Sequence, residues 1–129
     1  MRNCNIQGIV NKFGAGLLDV YGKGQVIVEN SHFERIHSFE GGVFRFNNEI
    51  IVKILSSDFL QNTAQLVGGA ISAQNDVFIT IYNCTFERNN ATYGGAISFN
   101  QAIDYHITDS LFYRNNASYQ GSALFIASL

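Results

Sequence analysis

Short runs of alternating apolar and polar residues recur along this chain at a fixed interval. Val26 and Val28, Val52 and Ile54, Ile79 and Ile81, and Tyr105 and Ile107 bracket Ile27, Lys53, Thr80 and His106, which are mostly polar. Period-two alternation marks strands with one apolar face. A second alternating set follows later in each unit: Leu18/Val20, Phe44/Phe46, Ile71/Ala73, Ile97/Phe99 and Leu124/Ile126. No 3.6-residue stripe or heptad persists, so the pattern predicts strands and no helices.

Between the two alternating sets lies an aromatic anchor: Phe33, Phe59, Phe86 and Phe112, with Ile6 in the first slot. These step by 27, 26, 27 and 26 residues. A glycine pair follows each anchor, and its second member, Gly16, Gly42, Gly69, Gly95 and then Ser122, steps by 26, 27, 26 and 27. Two landmarks keeping one period identify a repeat architecture. Three residues before each anchor stand Asn3, Asn30, Ser56, Asn83 and Asp109, types that accept a turn or left-handed backbone. Two before stand Cys4, Ser31, Ser57, Cys84 and Ser110, a slot for a small inward side chain.

Each unit therefore holds about three short strands separated by Asn- and Gly-bearing turns. A strand this short buries its inner face only by stacking on its counterpart in the next unit, about 4.8 Å away. The predicted fold is all-β: a right-handed parallel β-helix of about five coils of 26–27 residues, its hand set by crossover chirality. A leucine-rich repeat fits less well, because its leucine slots hold Val, Ile and Phe and alternation resumes after the glycine pair.

The fullest copies are Phe59/Asn62 with Gly68-Gly69-Ala70-Ile71 and Phe86/Asn89 with Gly94-Gly95-Ala96-Ile97. Phe112/Asn115 with Gly121-Ser122-Ala123-Leu124 is nearly full. Phe33 with Gly41-Gly42-Val43-Phe44 is degenerate, and Ile6 with Ala15-Gly16-Leu17-Leu18 more so. F-x-x-N paired with G-G-A-I resembles the repeat of the chlamydial polymorphic outer-membrane proteins, and related β-helix repeats of protist surface proteins. The resemblance covers essentially the whole chain and implies a β-helical passenger of adhesive character at a cell surface. Its motif residues are structural signatures: Phe fills the core, Asn bonds turn backbone or the Asn of a neighbouring coil, and the glycines permit positive φ or close backbone approach.

Length and charge narrow the function. The 129 residues make one domain at most, and a net charge of −2 offers no footing for nucleic acid. No apolar run is long enough to span a bilayer. Residues 1–129 read as a single β-helix segment. The chain starts inside a unit and stops after a strand without polar caps, so the expectation is a segment that continues into further coils.

The pectate-lyase-like solenoid also suggests polysaccharide lyases and glycoside hydrolases, which need clustered carboxylates on one outer face. The face beside the Gly-Gly strands offers Ala70, Ala96 and Ala123, then Asp19, Arg45, Ser72, Ser98 and Phe125; Asp19 and Arg45 are expected to pair. Glu34 and Glu87 share a column two coils apart, and Asp58 and Asp76 stand alone in theirs. No catalytic residue is assigned. His32, His37 and His106 occupy different columns without a ligand-spaced partner, so no metal or cofactor is expected. Cys4 and Cys84 lie three coils apart, roughly 14 Å, beyond the ~7 Å reach of a disulfide, and are read as free buried thiols.

The binding candidates are Tyr93 and Tyr119, aligned in the turn before the glycines, and Arg88 and Arg114, in a column shared with Arg35 and interrupted by Gln61. Asn83, Asn90 and Asn116 begin N-x-S/T sequons, with Asn83 expected to be engaged structurally. The expected function is a non-catalytic structural or adhesive β-helix segment, extracellular or at the cell surface, meeting glycans or cell-surface proteins. A carbohydrate-active enzyme fragment or polysaccharide-binding module is the alternative.

Overall fold

A computed structural model describes residues 1–101 and 104–127. Coil 1 carries β1 (Asn5–Gln7) and β2 (Leu18–Tyr21). Coil 2 carries β3 (Gly24–Glu29), β4 (His32–Glu34), β5 (His37–Ser38) and β6 (Phe44–Asn47). Coil 3 repeats this with β7 (Ile50–Leu55), β8 (Asp58–Leu60), β9 (Thr63–Ala64) and β10 (Ile71–Gln74). Coil 4 has β11 (Phe78–Tyr82), β12 (Thr85–Glu87), β13 (Asn90–Tyr93) and β14 (Ile97–Asn100). Coil 5 has β15 (Asp104–Thr108), β16 (Leu111–Tyr113), β17 (Asn116–Gln120) and β18 (Leu124–Ala127). Like strands of successive coils pair in parallel, giving a β-solenoid of about five turns with four sheets, two through all five coils and two through coils 2–5, and no helix among the described residues. The sheets are A (β3, β7, β11, β15), B (β1, β4, β8, β12, β16), C (β5, β9, β13, β17) and D (β2, β6, β10, β14, β18).

The sequence predicts about three strands per coil; coils 2–5 have four. The extra one is the sheet C strand between the F-x-x-N element and the glycines. It escapes the alternation test because it is as short as two residues in β5 and β9.

The register is the one the columns predict. Ile6 pairs with Phe33, Phe33 with Phe59, Phe59 with Phe86, and Phe86 with Phe112. Consecutive phenylalanine rings stack at 5.1, 4.8 and 4.9 Å between centroids, close to the coil spacing itself. Phe44 packs edge-on against Phe33 at 5.0 Å, joining the anchor column to sheet D.

Most corners turn on a left-handed residue. From sheet A to B these are Asn3, Asn30, Ser56, Asn83 and Asp109, with φ of 47–53°. From B to C they are Gly8, Arg35, Gln61, Arg88 and Arg114, and from C to D the first glycines, Gly14, Gly41, Gly68, Gly94 and Gly121. The D-to-A turn uses Gly22, Asn48-Glu49, Asn75-Asp76 and Gln101. The two glycines of each pair thus divide their labour: the first supplies positive φ, the second a close approach between coils.

Inside, two hydrogen-bond ladders accompany the phenylalanines. In the F-x-x-N column, Asn62 Oδ1 accepts from the Ile36 N–H (3.1 Å) and Asn115 Oδ1 from the Asn89 N–H (3.0 Å). Each amide also donates to the anchor carbonyl one coil below, Asn89 to Phe59 and Asn115 to Phe86. In the small-residue column, Ser31, Ser57 and Ser110 accept the N–H of Cys4, Ser31 and Cys84 respectively. The polar motif residues are therefore satisfied inside the solenoid, and no buried side-chain N or O among the described residues lacks a partner.

Candidate functional site

With Phe59, Asn62, Phe86 and Asn89 fully buried, chemistry is left to the outer faces. In coils 3 and 4 the face of sheet D that faces away from the phenylalanine column is closed, contrary to the sequence reading of it as an outer face, whereas Asp19 on coil 1 is exposed and Phe125 on coil 5 is half-exposed. Ala70 and Ala96 are fully buried, and Ser72 and Ser98 are 1% exposed. The cause lies at the C-to-D corner: the first glycine folds the chain back so that Gly68 and Gly94 lie against the backbone of Ile71 and Ile97. At its lower end the same face holds the expected pair. Arg45 Nη2 and Nε reach Asp19 at 2.6 and 2.8 Å, and Nη1 reaches Glu40 at 2.8 Å. Arg45 also donates to the Tyr21 hydroxyl. Hydrogen bonding to Asp19 raises the Arg45 pKa further above its ordinary value, outweighing partial burial, so Arg45 stays charged and paired with both carboxylates.

Sheet C presents the binding candidates. Arg88 and Arg114 occupy the left-handed B-to-C corner at φ 53° and 54°. Arg88 pairs with Glu87 at 2.9 Å, and the Arg114 guanidinium lies 4.9 Å over the Tyr113 ring. Next come Asn90 and Asn116, register partners on adjacent coils, with Asn116 Nδ2 donating to Asn90 Oδ1 at 2.9 Å. Tyr93 and Tyr119 line the C-to-D corner with their rings 5.2 Å apart in a T-shape. A cationic corner, an amide rung and an aromatic corner therefore succeed one another across one narrow face.

Tyr93 and Tyr119 are not register partners. Tyr93 pairs with Gln120 across a bulge, because the interval from Phe112 to Gly121 is one residue longer than that from Phe86 to Gly94. The two rings consequently differ in access. Tyr93 is half-buried between Tyr119 and Phe125, 5.2 Å away, whereas Tyr119 is 69% exposed. The same corner carries Phe13, Phe39 and Leu66, exposed on coils 1, 2 and 3, so an apolar residue marks it on every coil.

Sheet B brings together a group that the sequence reading kept apart. His32 Nε2 lies 3.5 Å from Glu34, and Nδ1 lies 3.9 Å from Asp58 on the next coil. Comparing carboxylates only with carboxylates missed the histidine in the Asp58 column. The signal was present, since residues immediately before and after an anchor share one outward face and Asp58 pairs with His32. Among the described residues no group of three or more His, Cys, Asp and Glu side chains is arranged to hold a metal ion. Cys84 is buried and Cys4 is half-exposed, so the expectation of two buried thiols holds for Cys84 alone; both are free. Asn83 donates to Ser56 Oγ at 3.1 Å, as expected, while Asn90 and Asn116 are exposed. On sheet A, Ile51, Phe78 and Tyr82 are about half-exposed on an outer face that carries no covering layer among the described residues.

Residues 56–74 match the family model described as the Chlamydia polymorphic membrane protein (Chlamydia_PMP) repeat. The chain resembles the repeats of these membrane proteins. The matched stretch runs from the left-handed Ser56 to the end of β10, through Phe59, Asn62 and the Gly68-Gly69 pair. It is coil 3 without its sheet A strand, so the likeness rests on ladder and corner residues. No curated protein and no solved structure matches the chain. No helix among the described residues is long and apolar enough to cross a membrane, a test that does not address spanning by strands.

Proposed function

We propose that the chain is a non-catalytic, adhesive segment of a β-helix displayed extracellularly or at a cell surface, with sheet C and its two corners as the contact face. The resemblance to a membrane-protein repeat supports the location. The observation that carries the contact face is the sequence Arg114, Asn116, Tyr119 across coil 5, with Tyr119 69% exposed beside Tyr93. An aromatic face offers stacking to a sugar ring or an apolar side chain, and amides offer donors and acceptors to hydroxyls. The partner is a glycan or a cell-surface protein.

The test is binding of the chain to a glycan array and to cells, repeated with Tyr119→Ala and with Arg114→Ala. Binding by the parent that drops roughly tenfold or more in Tyr119→Ala, at unchanged thermal stability, supports the reading; binding indifferent to both changes removes sheet C from it. The second reading, a carbohydrate-active enzyme fragment, is favoured by His32 between Glu34 and Asp58. Depolymerisation of a uronate polymer by the parent, abolished in His32→Ala, would replace the adhesive reading.

A further inference from the structure

The outer face of sheet A departs from the polar make-up that outward strand positions usually have. In β7 and β11 the inward side chains are Ile50, Val52, Ile54, Ile79 and Ile81, all buried, so Ile51, Lys53 and Leu55 point outward beside their register partners Phe78, Thr80 and Tyr82. Ile51, Phe78 and Tyr82 are 47%, 50% and 47% exposed. Two apolar columns, Ile51/Phe78 and Leu55/Tyr82, therefore flank Lys53 and Thr80. Around them lie Gln25, Ile27 and Glu29 on coil 2 and Asp104, His106 and Thr108 on coil 5, mostly polar. A contiguous apolar centre with a polar rim is the make-up of a protein interface.

Charge selects the occupant. Lys53, exposed at the middle of the patch, is the one charged side chain among the outward residues of coils 3 and 4. Two copies laid face to face pack well with their strands within about 30° of parallel. A two-fold axis running along the strands between coils 3 and 4 lays coil 3 of each copy on coil 4 of the other. Ile51 then meets Phe78, Leu55 meets Tyr82, and Lys53 meets the neutral Thr80. At the rim Gln25 faces Asp104, Glu29 faces Thr108, and Ile27 faces His106 beside a hollow lined by Phe78, Thr80 and Asp104. Apolar meets apolar, each carboxylate meets a neutral hydrogen-bonding side chain, and no two like charges oppose one another. A two-fold along the solenoid, or one centred on coil 3, sets Lys53 against Lys53. One centred on coil 4 sets Lys53 against His106 and Ile51 against Asp104. Opposed like charges reject such arrangements.

We propose that the outer face of sheet A is a homodimer interface, joining two copies of this chain through coils 3 and 4 with their solenoid axes antiparallel. The contact is isologous, with the same patch used on both copies. Sheet C takes no part in it, so the contact face proposed above is independent of the dimer.

Sedimentation velocity of the chain over a wide concentration range tests the interface, with urea unfolding as an independent check that each variant folds. The parent is expected to dimerise. Thr80→Glu, which sets a carboxylate opposite Lys53 of the other copy, is expected to dimerise roughly tenfold more tightly, and Thr80→Lys roughly tenfold more weakly. Phe78→Lys is expected to stay monomeric throughout. A parent and a Thr80→Glu variant that remain monomeric at every concentration would overturn the proposal, and glycan-array binding lost in Phe78→Lys would then assign the face to a sugar. Dimerisation that survives Phe78→Lys would overturn it too. So would dimerisation that Thr80→Glu weakens, the result of an arrangement that sets Thr80 on Thr80.

Discussion

Asn89 Oδ1 accepts two hydrogen bonds from Asn62 one coil below, from its backbone N–H at 3.0 Å and from its Nδ2 at 3.1 Å. Neither residue is exposed at all. Two motif residues of neighbouring repeats thus meet as one rung, and the rung joins coils through side chains where the strands have already turned away.

Removing the rung leaves buried groups unpaired. Asn89→Ala strands the Asn62 N–H and takes the side-chain donor from the Phe59 carbonyl, while Asn115 Oδ1 keeps the backbone N–H of residue 89. Each unsatisfied buried group costs about 1–3 kcal/mol, so a loss of about 2 kcal/mol or more is expected in urea unfolding. Asn115→Ala, at a half-exposed site on coil 5, is expected to lose less.

The aromatic column makes a parallel prediction. Phe59 is stacked from both sides, by Phe33 and Phe86, and fully buried. Phe59→Ala is expected to cost about 3–5 kcal/mol. Phe112→Ala, with a stacking partner on one side and partial exposure, should cost less than half of that in the same experiment.

Glycines separate by position. A Cβ on Gly69 would meet the Gly95 carbonyl oxygen at 2.0 Å and the Asn90 nitrogen at 2.7 Å. Gly69→Ala is therefore expected to destabilise by about 3 kcal/mol or more. Gly24 has nothing within 4 Å of the same position. Gly24→Ala should lie within about 1 kcal/mol of the parent, on the stabilising side. Thermal melting of the pair distinguishes them.

Cysteine chemistry gives a pH prediction. Burial raises the Cys84 thiol pKa above its ordinary value, with nearby backbone hydrogen bonds opposing. The unfolded chain releases this proton near pH 8.5, at about the usual cysteine value, while the folded chain still holds it. The associated stability is therefore complete below about pH 8.5 and is lost as pH rises through the folded value. Cys84→Ser is expected to flatten that alkaline decline, because the same column holds Ser31 and Ser57 on other coils. In the folded parent a maleimide should label half-exposed Cys4 well before Cys84.

Much of this fold was legible in the chain. The anchor and glycine columns predicted the register from Ile6 to Phe112, and the turn residues from Asn3 to Asp109 are left-handed as their types suggest. What escaped was set by local geometry that a column alignment averages out. In β5 and β9 sheet C is too short to alternate. The left-handed arginines Arg35, Arg88 and Arg114 look like ordinary surface charges in sequence. One inserted residue before Gly121 moved Tyr119 out of register with Tyr93. The His32–Asp58 approach links unlike residues in one column, which a search for repeated carboxylates passes over.

The central claim is that each repeat is one coil, stacked in register on the next. Cysteine pairs in a Cys4→Ser, Cys84→Ser background test it most directly. Asp58 pairs with Thr85, and Thr85 with Leu111, on the outer face of sheet B. Adjacent strands lie about 4.8 Å apart, within disulfide reach, whereas two coils span roughly 10 Å, beyond it. Oxidation is expected to cross-link Asp58→Cys with Thr85→Cys, and Thr85→Cys with Leu111→Cys, and to leave Asp58→Cys with Leu111→Cys reduced. Efficient intramolecular cross-linking of the last pair, or failure of both adjacent pairs, would contradict the stacked solenoid.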